Sequence, residues 1–358
     1  MKLVFWFSVI TVFYVYIGYP MLLAVLRRFA GTPVRKGAFE PRVTILIAAH
    51  NERGRIERKL RNCMELDYPR RKLQIIVALD GPTDGTEFVV WRYAGSGVRM
   101  VHLKDHTGKP SALNAGIREA TGEIVVFADV RQSFSRDAIR RLVQNFADPS
   151  VGAVTGQLVL LKDETADAAS AAAKTDIGLY WKYETWIRSM ESEVHSTIGA
   201  TGAIYAIRRE LYQELPEDAL LDDVLTPMRV VLRGKRVVFE AAAKAFDIVS
   251  CCPKAEFVRK VRTLTGNYQL LTQLPRLLVP IRNPVFWQYC SHKLGRLAVP
   301  YLLIVMFISN ALIVGSVYRF LFALQCAWYL CAIAGFVMAN RELEARPVLE
   351  IKEEQKAA

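Results

Sequence analysis

Charged side chains follow several apolar runs in this chain, and their types suit chemistry on an anion. Ala49-His50-Asn51-Glu52 comes directly after VTILIA (Val43–Ala48). Asp80-Gly81-Pro82-Thr83-Asp84-Gly85-Thr86 follows LQIIVAL (Leu73–Leu79), and Asp129-Val130-Arg131 follows EIVVFA (Glu123–Ala128). A Gly108–Asn114 run, GKPSALN, precedes the last of these, and an acidic pair, Asp222-Asp223, stands farther along. Carboxylates hold cations or take protons, whereas Lys and Arg stabilise anions. Each piece also has a plain structural reading. Asp80-Gly81 is a turn signal, Asp129 suits a helix cap, and Lys109 suits a solvated surface. Asp222-Asp223 suits a helix N-terminus, favoured there by the macrodipole. Their repetition at successive strand ends is what argues for a site.

The elements that must position these residues alternate. The three apolar runs, with Val98–Leu103, read as strands buried on both faces, as in a parallel sheet. Helical stretches are expected at about 52–65, 84–94 and 109–120 between them, and the alanine-rich piece near Ala166–Ala173 reads as helix. Strand–helix alternation predicts a doubly wound α/β sheet, whose ligands sit at the carboxyl ends of the strands. The six cysteines show no CxxC pairing. Neither a zinc site nor a disulfide framework is indicated, and a reducing compartment suits them.

The chain is also built to meet a bilayer. Leu3 to Leu26 has no charged residue, and about 20 apolar residues suffice to cross. Its length, its lack of an Ala-x-Ala site and its Arg27-Arg28 ending favour a retained span over a cleaved signal peptide. Two further spans are expected at about Leu297–Tyr318 and Phe320–Ala339, split only by Arg319 as a tight hairpin. Basic residues follow the first span (Arg27, Arg28, Arg35, Lys36, Arg42) and precede the second (Arg282, His292, Lys293, Arg296). The positive-inside rule then puts the intervening domain and the carboxyl tail in the cytoplasm, with the amino terminus outside. The expected layout is a transmembrane helix at 1–28, a domain at 40–273, an amphipathic interface segment at 274–293, two spans at 295–340 and a polar tail at 341–358. Lys and Arg total 47 against 35 acidic residues, a net charge of +12. Much of that excess flanks the spans and no nucleic-acid module is present, so the expected partner is membrane lipid and not nucleic acid.

Taken in order, VTILIAAHNE, ALDGPTDGT, GKPSALNAG, VVFADVR, TGAIYAIRRE, LLDDV and RKVRTLTGN resemble the family 2 glycosyltransferases. That group has the GT-A fold and includes the cellulose, chitin and hyaluronan synthases. The resemblance spans about Arg42 to Leu271. It implies a GT-A domain with a doubly wound mixed sheet, one N-terminal and two C-terminal transmembrane helices, and an inverting transfer of a sugar from a nucleotide donor, UDP by expectation. By position, Ala49 and Glu52 would border the nucleotide and Asp80 would hydrogen-bond the base. Lys109 joins the donor-binding set. Asp129 matches the first carboxylate of the Asp-x-Asp motif, near the ribose, diphosphate and a divalent cation, Mg or Mn. Asp223 matches the general base. Gly202, Asp222 and Trp181 are expected on the acceptor side, and Arg262 matches an arginine that closes over the diphosphate.

The pattern departs from the family at Arg131, which stands where the motif has its second Asp and main metal ligand. A guanidinium cannot bind a divalent cation, so the metal site is in question. Arg131 either adds positive charge near the diphosphate or pairs with a structural carboxylate. Leu79 replaces an acidic residue, and Arg259, Lys260 and Thr263 stand where the closing motif has Gln, Arg and Trp; an aromatic platform from Trp181, Tyr183 and Trp186 is one substitute. The resulting expectation is a multi-pass membrane enzyme extending a polysaccharide or a lipid-linked glycan. A polymerase with three spans would need a homo-oligomer or an export partner. The alternatives are transfer to a polyprenyl-linked acceptor and a non-catalytic nucleotide-sugar-binding partner of a synthase.

Overall fold

The computed structural model describes residues 1–161, 178–248 and 253–344, and the alanine-rich Ala166–Ala173 lies outside the described residues. The chain divides into a larger compact unit, residues 22–249 with 259–290, and a smaller one containing residues 1–21 and those from 291 onward.

The larger unit is built on one eight-stranded mixed sheet. Its strands are β1 (Val43–Ala49), β2 (Leu73–Asp80), β3 (Val98–Leu103), β4 (Ile124–Ala128), β5 (Ser133–Phe134), β6 (Val151–Leu161), β7 (Ile204–Arg208) and β8 (Arg236–Ile248), in the order β3-β2-β1-β4-β7-β6-β8-β5. The four strands on one side are parallel, with Ala49 opposite Leu79 and Ile47 opposite Ala128. This register brings Ala49, Asp80 and Asp129 to one rim. β7 runs antiparallel to β4, with Ile204 opposite Ala128, so Thr201–Ala203 enter the sheet at that same rim. β6 pairs β7 antiparallel and β8 parallel, and the short β5 pairs β8 antiparallel.

Burial explains the apolar strands. Ile45, Leu46 and Ile47 are all fully buried: Ile45 and Ile47 belong to a core cluster with Ile56 and Leu60, and Leu46 lies against Gly116. A fully buried side chain of this kind contributes about 1.5–3 kcal/mol relative to an exposed one. The helices over these strands are Ile56–Met64, Thr86–Trp91 and Lys109–Arg118, each inside its expected stretch. Farther along come Leu179–Val194, Asp222–Leu232 and Pro253–Gln273. Gly81 has φ +53°, and a Cβ there would lie 2.4 Å from the His106 backbone nitrogen. Only glycine lets residues 105–106 close over the end of β2.

Three helices are long and apolar enough to cross a membrane: Lys2–Ala30, Phe286–Ala311 and Ser316–Met338. Within the smaller unit the first and third meet at their ends, where Trp6 Nε1 donates to the Tyr318 hydroxyl at 3.2 Å and the Phe5 ring stands edge-on to Tyr318. The turn of the expected hairpin differs from the sequence reading. Helix stops at Ala311 and restarts at Ser316, with Gly315 at φ +147°, while Arg319 lies inside the third helix. The link between the two helices is the 312–315 segment, ending on glycine just before the third helix, and not a break at Arg319. Within the expected interface segment at 274–293, Leu277, Asn283, Val285 and Tyr289 are buried while Ile281 is fully exposed. Its carboxyl part, from Phe286, runs into the second apolar helix.

Candidate active site

Lys109, the first residue of its helix, is the hub of the rim. Its Nζ donates to Asp129 Oδ1 at 2.9 Å and stands 3.3 Å from Asp222 Oδ2. Asp222 is almost wholly buried, so this ion pair is largely shielded from water. Burial disfavours the lysine charge, but Asp129, Asp222 and Asp223 together outweigh it and hold Lys109 well above its ordinary pKa. The ammonium is a fixed cation among three carboxylates.

Asp222 and Asp223 open the helix Asp222–Leu232, where the positive end of the macrodipole favours them. The Gly202 N–H donates to Asp223 Oδ2 at 3.0 Å, and the Ala200 N–H donates to the Asp223 carbonyl at 2.7 Å. A second anchor comes from Thr155 on β6, whose hydroxyl accepts from the Thr201 N–H at 3.0 Å. A Cβ built on Gly202 would lie 3.4 Å from Asp223 Oδ2 and 3.6 Å from Asp129 Oδ2. The carboxylates of Asp129 and Asp223 thus both lie beside Gly202. Beneath them Tyr205 is fully buried; burial first, then the charges of Asp222 and Asp223, keep its phenol protonated.

Glu52 follows β1, and its backbone N–H donates to Thr86 Oγ1 at 2.9 Å. Burial raises its carboxyl pKa against the pull of Arg55 and Arg131, and Asp129 pushes the same way. Ala49, at the end of β1, is buried. Arg131 Nη2 lies 3.7 Å from Asp247 Oδ2 at the end of β8, so it has a carboxylate partner. Arg262, on the helix Pro253–Gln273, donates to the Leu220 carbonyl at 3.3 Å. On the same helix Gln269 Oε1 accepts from the Leu220 N–H at 3.0 Å, so this helix braces the segment that leads into Asp222. Trp181 stands apart from these groups. Its indole N–H donates to the Leu158 carbonyl of β6 at 3.1 Å.

Asp80 sits at the rim but is turned inward. Its carboxylate accepts from the Thr107 N–H at 2.8 Å and the Gly108 N–H at 2.9 Å, with His106 Nδ1 2.8 Å away. His50 Nδ1 is 2.6 Å from the Asp80 carbonyl, and the His50 and His106 rings stack at 3.9 Å. Asp80 therefore fixes the turn that launches Lys109. The histidines were not singled out by sequence reasoning. His50 lies inside a quoted motif, but the pairing with His106 depends on a loop folding back over Gly81, which no spacing reveals.

The fit of a divalent cation can be judged from these donors. Among the described residues, the set of three ligand-type side chains within 4.8 Å of one another is His50, Asp80 and His106, and Asp129 is not in it. Asp129 alone offers a carboxylate at the Asp-x-Asp position. One carboxylate with phosphate oxygens is a usual way to hold Mg²⁺ or Mn²⁺, so the residues fit an ion that arrives with a nucleoside diphosphate.

A mixed sheet that gathers acidic groups and a bound lysine at the carboxyl ends of its parallel strands is the arrangement of a GT-A glycosyltransferase domain. Residues 44–215 match the family model described as glycosyl transferase family 2. Over 241 residues the chain is 26% identical to the poly-beta-1,6-N-acetyl-D-glucosamine synthase of Staphylococcus aureus, covering 64% of this chain and 55% of the relative. It is 29% identical over 241 residues to the probable glycosyltransferase YdaM of Bacillus subtilis, covering 63% and 55%. The chain spans about half the length of the curated relatives it matches. Among solved structures it is similar to the mannosyltransferase PcManGT of Pyrobaculum calidifontis, in complex with GDP-Man and Mn²⁺. That similarity has a TM-score of 0.70 and 26% identity, over 90% of this chain and 91% of the other.

Proposed function

We propose that the protein is an inverting glycosyltransferase that moves a sugar from a nucleoside-diphosphate donor to a glycan or lipid-linked acceptor at the cytoplasmic face of a membrane. The observation that carries this reading is the pair of carboxylates, Asp129 and Asp223, that lie beside Gly202, with the Lys109 ammonium bonded to Asp129. In this reading the acceptor hydroxyl gives its proton to Asp223 as its oxygen bonds to the anomeric carbon. The bond from that carbon to the diphosphate breaks on the opposite face, and one direct displacement inverts the centre, by the geometry of inverting glycosidases. Lys109 and Arg131 act on the departing diphosphate as fixed cations, and Arg262 is the closing arginine. Asp129 would hold the divalent cation, which supplies further positive charge to the leaving group. Ala49, Glu52 and Asp80 belong to the nucleotide side of the rim, with Asp80 shaping it through the 106–108 turn. Asp222 and Gly202 belong to the acceptor side. Trp181, tied to β6, has the weakest support as an acceptor contact.

Two acceptor classes remain open to experiment. Similarity to the polysaccharide synthase over 64% of this chain supports a growing glycan. Similarity to PcManGT over 90% of this chain supports an enzyme of that size, for which GDP-mannose joins the UDP-sugars as a donor to test. A polyprenyl-linked acceptor needs only a site near the bilayer, whereas a polymer needs an export route through an oligomer or a partner.

The test is nucleoside-diphosphate release from UDP-N-acetylglucosamine and GDP-mannose, run beside Asp223→Asn. The variant is expected to fold, to bind donor and to lose transfer by at least about 100-fold. Transfer at the wild-type rate by Asp223→Asn would remove the assigned base. Donor binding without turnover in the wild type would favour the non-catalytic partner.

A further inference from the structure

Lys59 occupies a core position on the helix Ile56–Met64, among Ile56, Leu60 and Cys63, and is 1% exposed. A lysine is a costly residue there, since burying an ammonium without partners is strongly unfavourable. Its Nζ donates to the Gln132 carbonyl at 2.7 Å and lies 3.7 Å from the centre of the Phe134 ring. Gln132 and Phe134 immediately follow Asp129-Val130-Arg131. The same helix clasps this segment again through Asn62, whose amide donates to the Phe134 carbonyl at 3.0 Å and accepts from the Phe134 N–H at 2.7 Å. On its other side Gln132 Nε2 donates to Asp247 Oδ2 at 2.7 Å, the carboxylate that also faces Arg131. The segment carrying Asp129 and Arg131 is thus held from the helix side and from β8.

We infer that Lys59 is a positioning residue for donor binding: its buried ammonium holds the Asp129–Gln132 turn so that Asp129 and Arg131 meet the donor diphosphate in one fixed arrangement. This rests on the glycosyltransferase reading above. The argument is one of alternatives. An apolar side chain would fill the position and avoid the cost of burying an amine, but it would leave the buried Gln132 carbonyl without its donor. Burial pulls the Lys59 pKa down, against Cys63 and Asp129, which favour its charge. A purely structural residue would show its loss in stability alone; a positioning residue shows it in the donor affinity of the folded variant as well.

The experiment measures UDP and GDP binding by calorimetry, with Mn²⁺ present, on the full-length protein in detergent, together with thermal melting. Lys59→Met is expected to stay folded, with at most a modest drop in melting temperature from the orphaned Gln132 carbonyl, and to bind the preferred nucleotide about tenfold or more weakly, as displaced binding groups typically cost. Lys59→Arg, which keeps the charge and a donor, is expected to bind more tightly than Lys59→Met. Wild-type affinity in a folded Lys59→Met overturns the inference and leaves the glycosyltransferase reading standing. Wild-type protein that binds neither nucleotide overturns both. If both variants fail to fold, Lys59 is structural and the positioning role is refuted.

Discussion

Gly202 stands beside both carboxylates of the proposed site, and its missing side chain leaves space next to them. The Asp129 and Asp223 carboxylates both reach toward it, and a methyl group there would sit 3.4 Å from one and 3.6 Å from the other. Those are ordinary contact distances, so Gly202→Ala needs no rearrangement, and the backbone there is not left-handed. Gly202→Ala is therefore expected to fold with unchanged stability, or with a gain of about 0.4–1 kcal/mol from a stiffer unfolded chain. The methyl nonetheless fills the space beside the proposed base and the donor-side carboxylate. Transfer is expected to fall by at least about tenfold, since small displacements of reacting groups have such effects. Melting curves and transfer rates on the same preparation decide it; full activity would mean that substrate does not use the space beside the two carboxylates. At this scale the sequence was informative where a motif carried the residue. Lys109, Asp129 and Asp223 were named from short runs, and the structure brings them together. Asp80 was legible as a rim residue, but not its engagement by the 106–108 backbone. Lys59 was not legible, because a lysine in a helical run looks solvated until the turn it meets is in place.

Elements were legible where burial was uniform. β1, β2 and β4 each read as an apolar run, since strands covered on both faces leave no polar alternation to misread, whereas β3, read the same way, is the edge strand and exposes Arg99 and His102. The second half of the sheet was not legible. β8 contains Glu240-Ala-Ala-Ala-Lys244, a composition of strong helix formers, yet it is a strand because pairing with β6 and β5 overrides local preference. β8 also carries Arg236, whose guanidinium donates to the carbonyls of Thr32, Ser192 and His195 and so ties the end of the helix Leu179–Val194 to the sheet. The His195 imidazole stands at that junction, with Nδ1 2.9 Å from Ser196 Oγ. Burial, and then the Arg236 charge, hold its pKa below the ordinary value. The sign follows from linkage. Above about pH 6.5 the imidazole is neutral in both folded and unfolded chains and costs nothing. As pH falls below that value the unfolded chain takes up a proton that the folded chain refuses, so stability drops until the folded imidazole is also protonated. His195→Gln should remove this part of the pH dependence, flattening the change in melting temperature between about pH 7 and about pH 5. Parallel melting profiles for wild type and variant would show that the junction does not couple to this proton.

The whole molecule joins a catalytic sheet to three apolar helices, and the distribution of charge decides which side of a bilayer that sheet faces. Arg27 and Arg28 end the first long helix, and Arg35, Lys36 and Arg42 follow before β1. On the far side of the domain Arg282, His292, Lys293 and Arg296 precede or open the second span, whereas Lys2 alone precedes the first. Short basic flanks of this kind stay on the cytoplasmic side. A net charge of +12 suits an anionic membrane surface on that side. Trypsin supplies the measurement, since the domain presents many exposed Lys and Arg side chains. In sealed inside-out vesicles the catalytic domain is expected to be digested, and in intact spheroplasts it is expected to be protected until detergent is added. Protection in inside-out vesicles, with digestion in spheroplasts, would place the carboxylates on the opposite face of the membrane and overturn the proposed cytoplasmic reaction along with the topology.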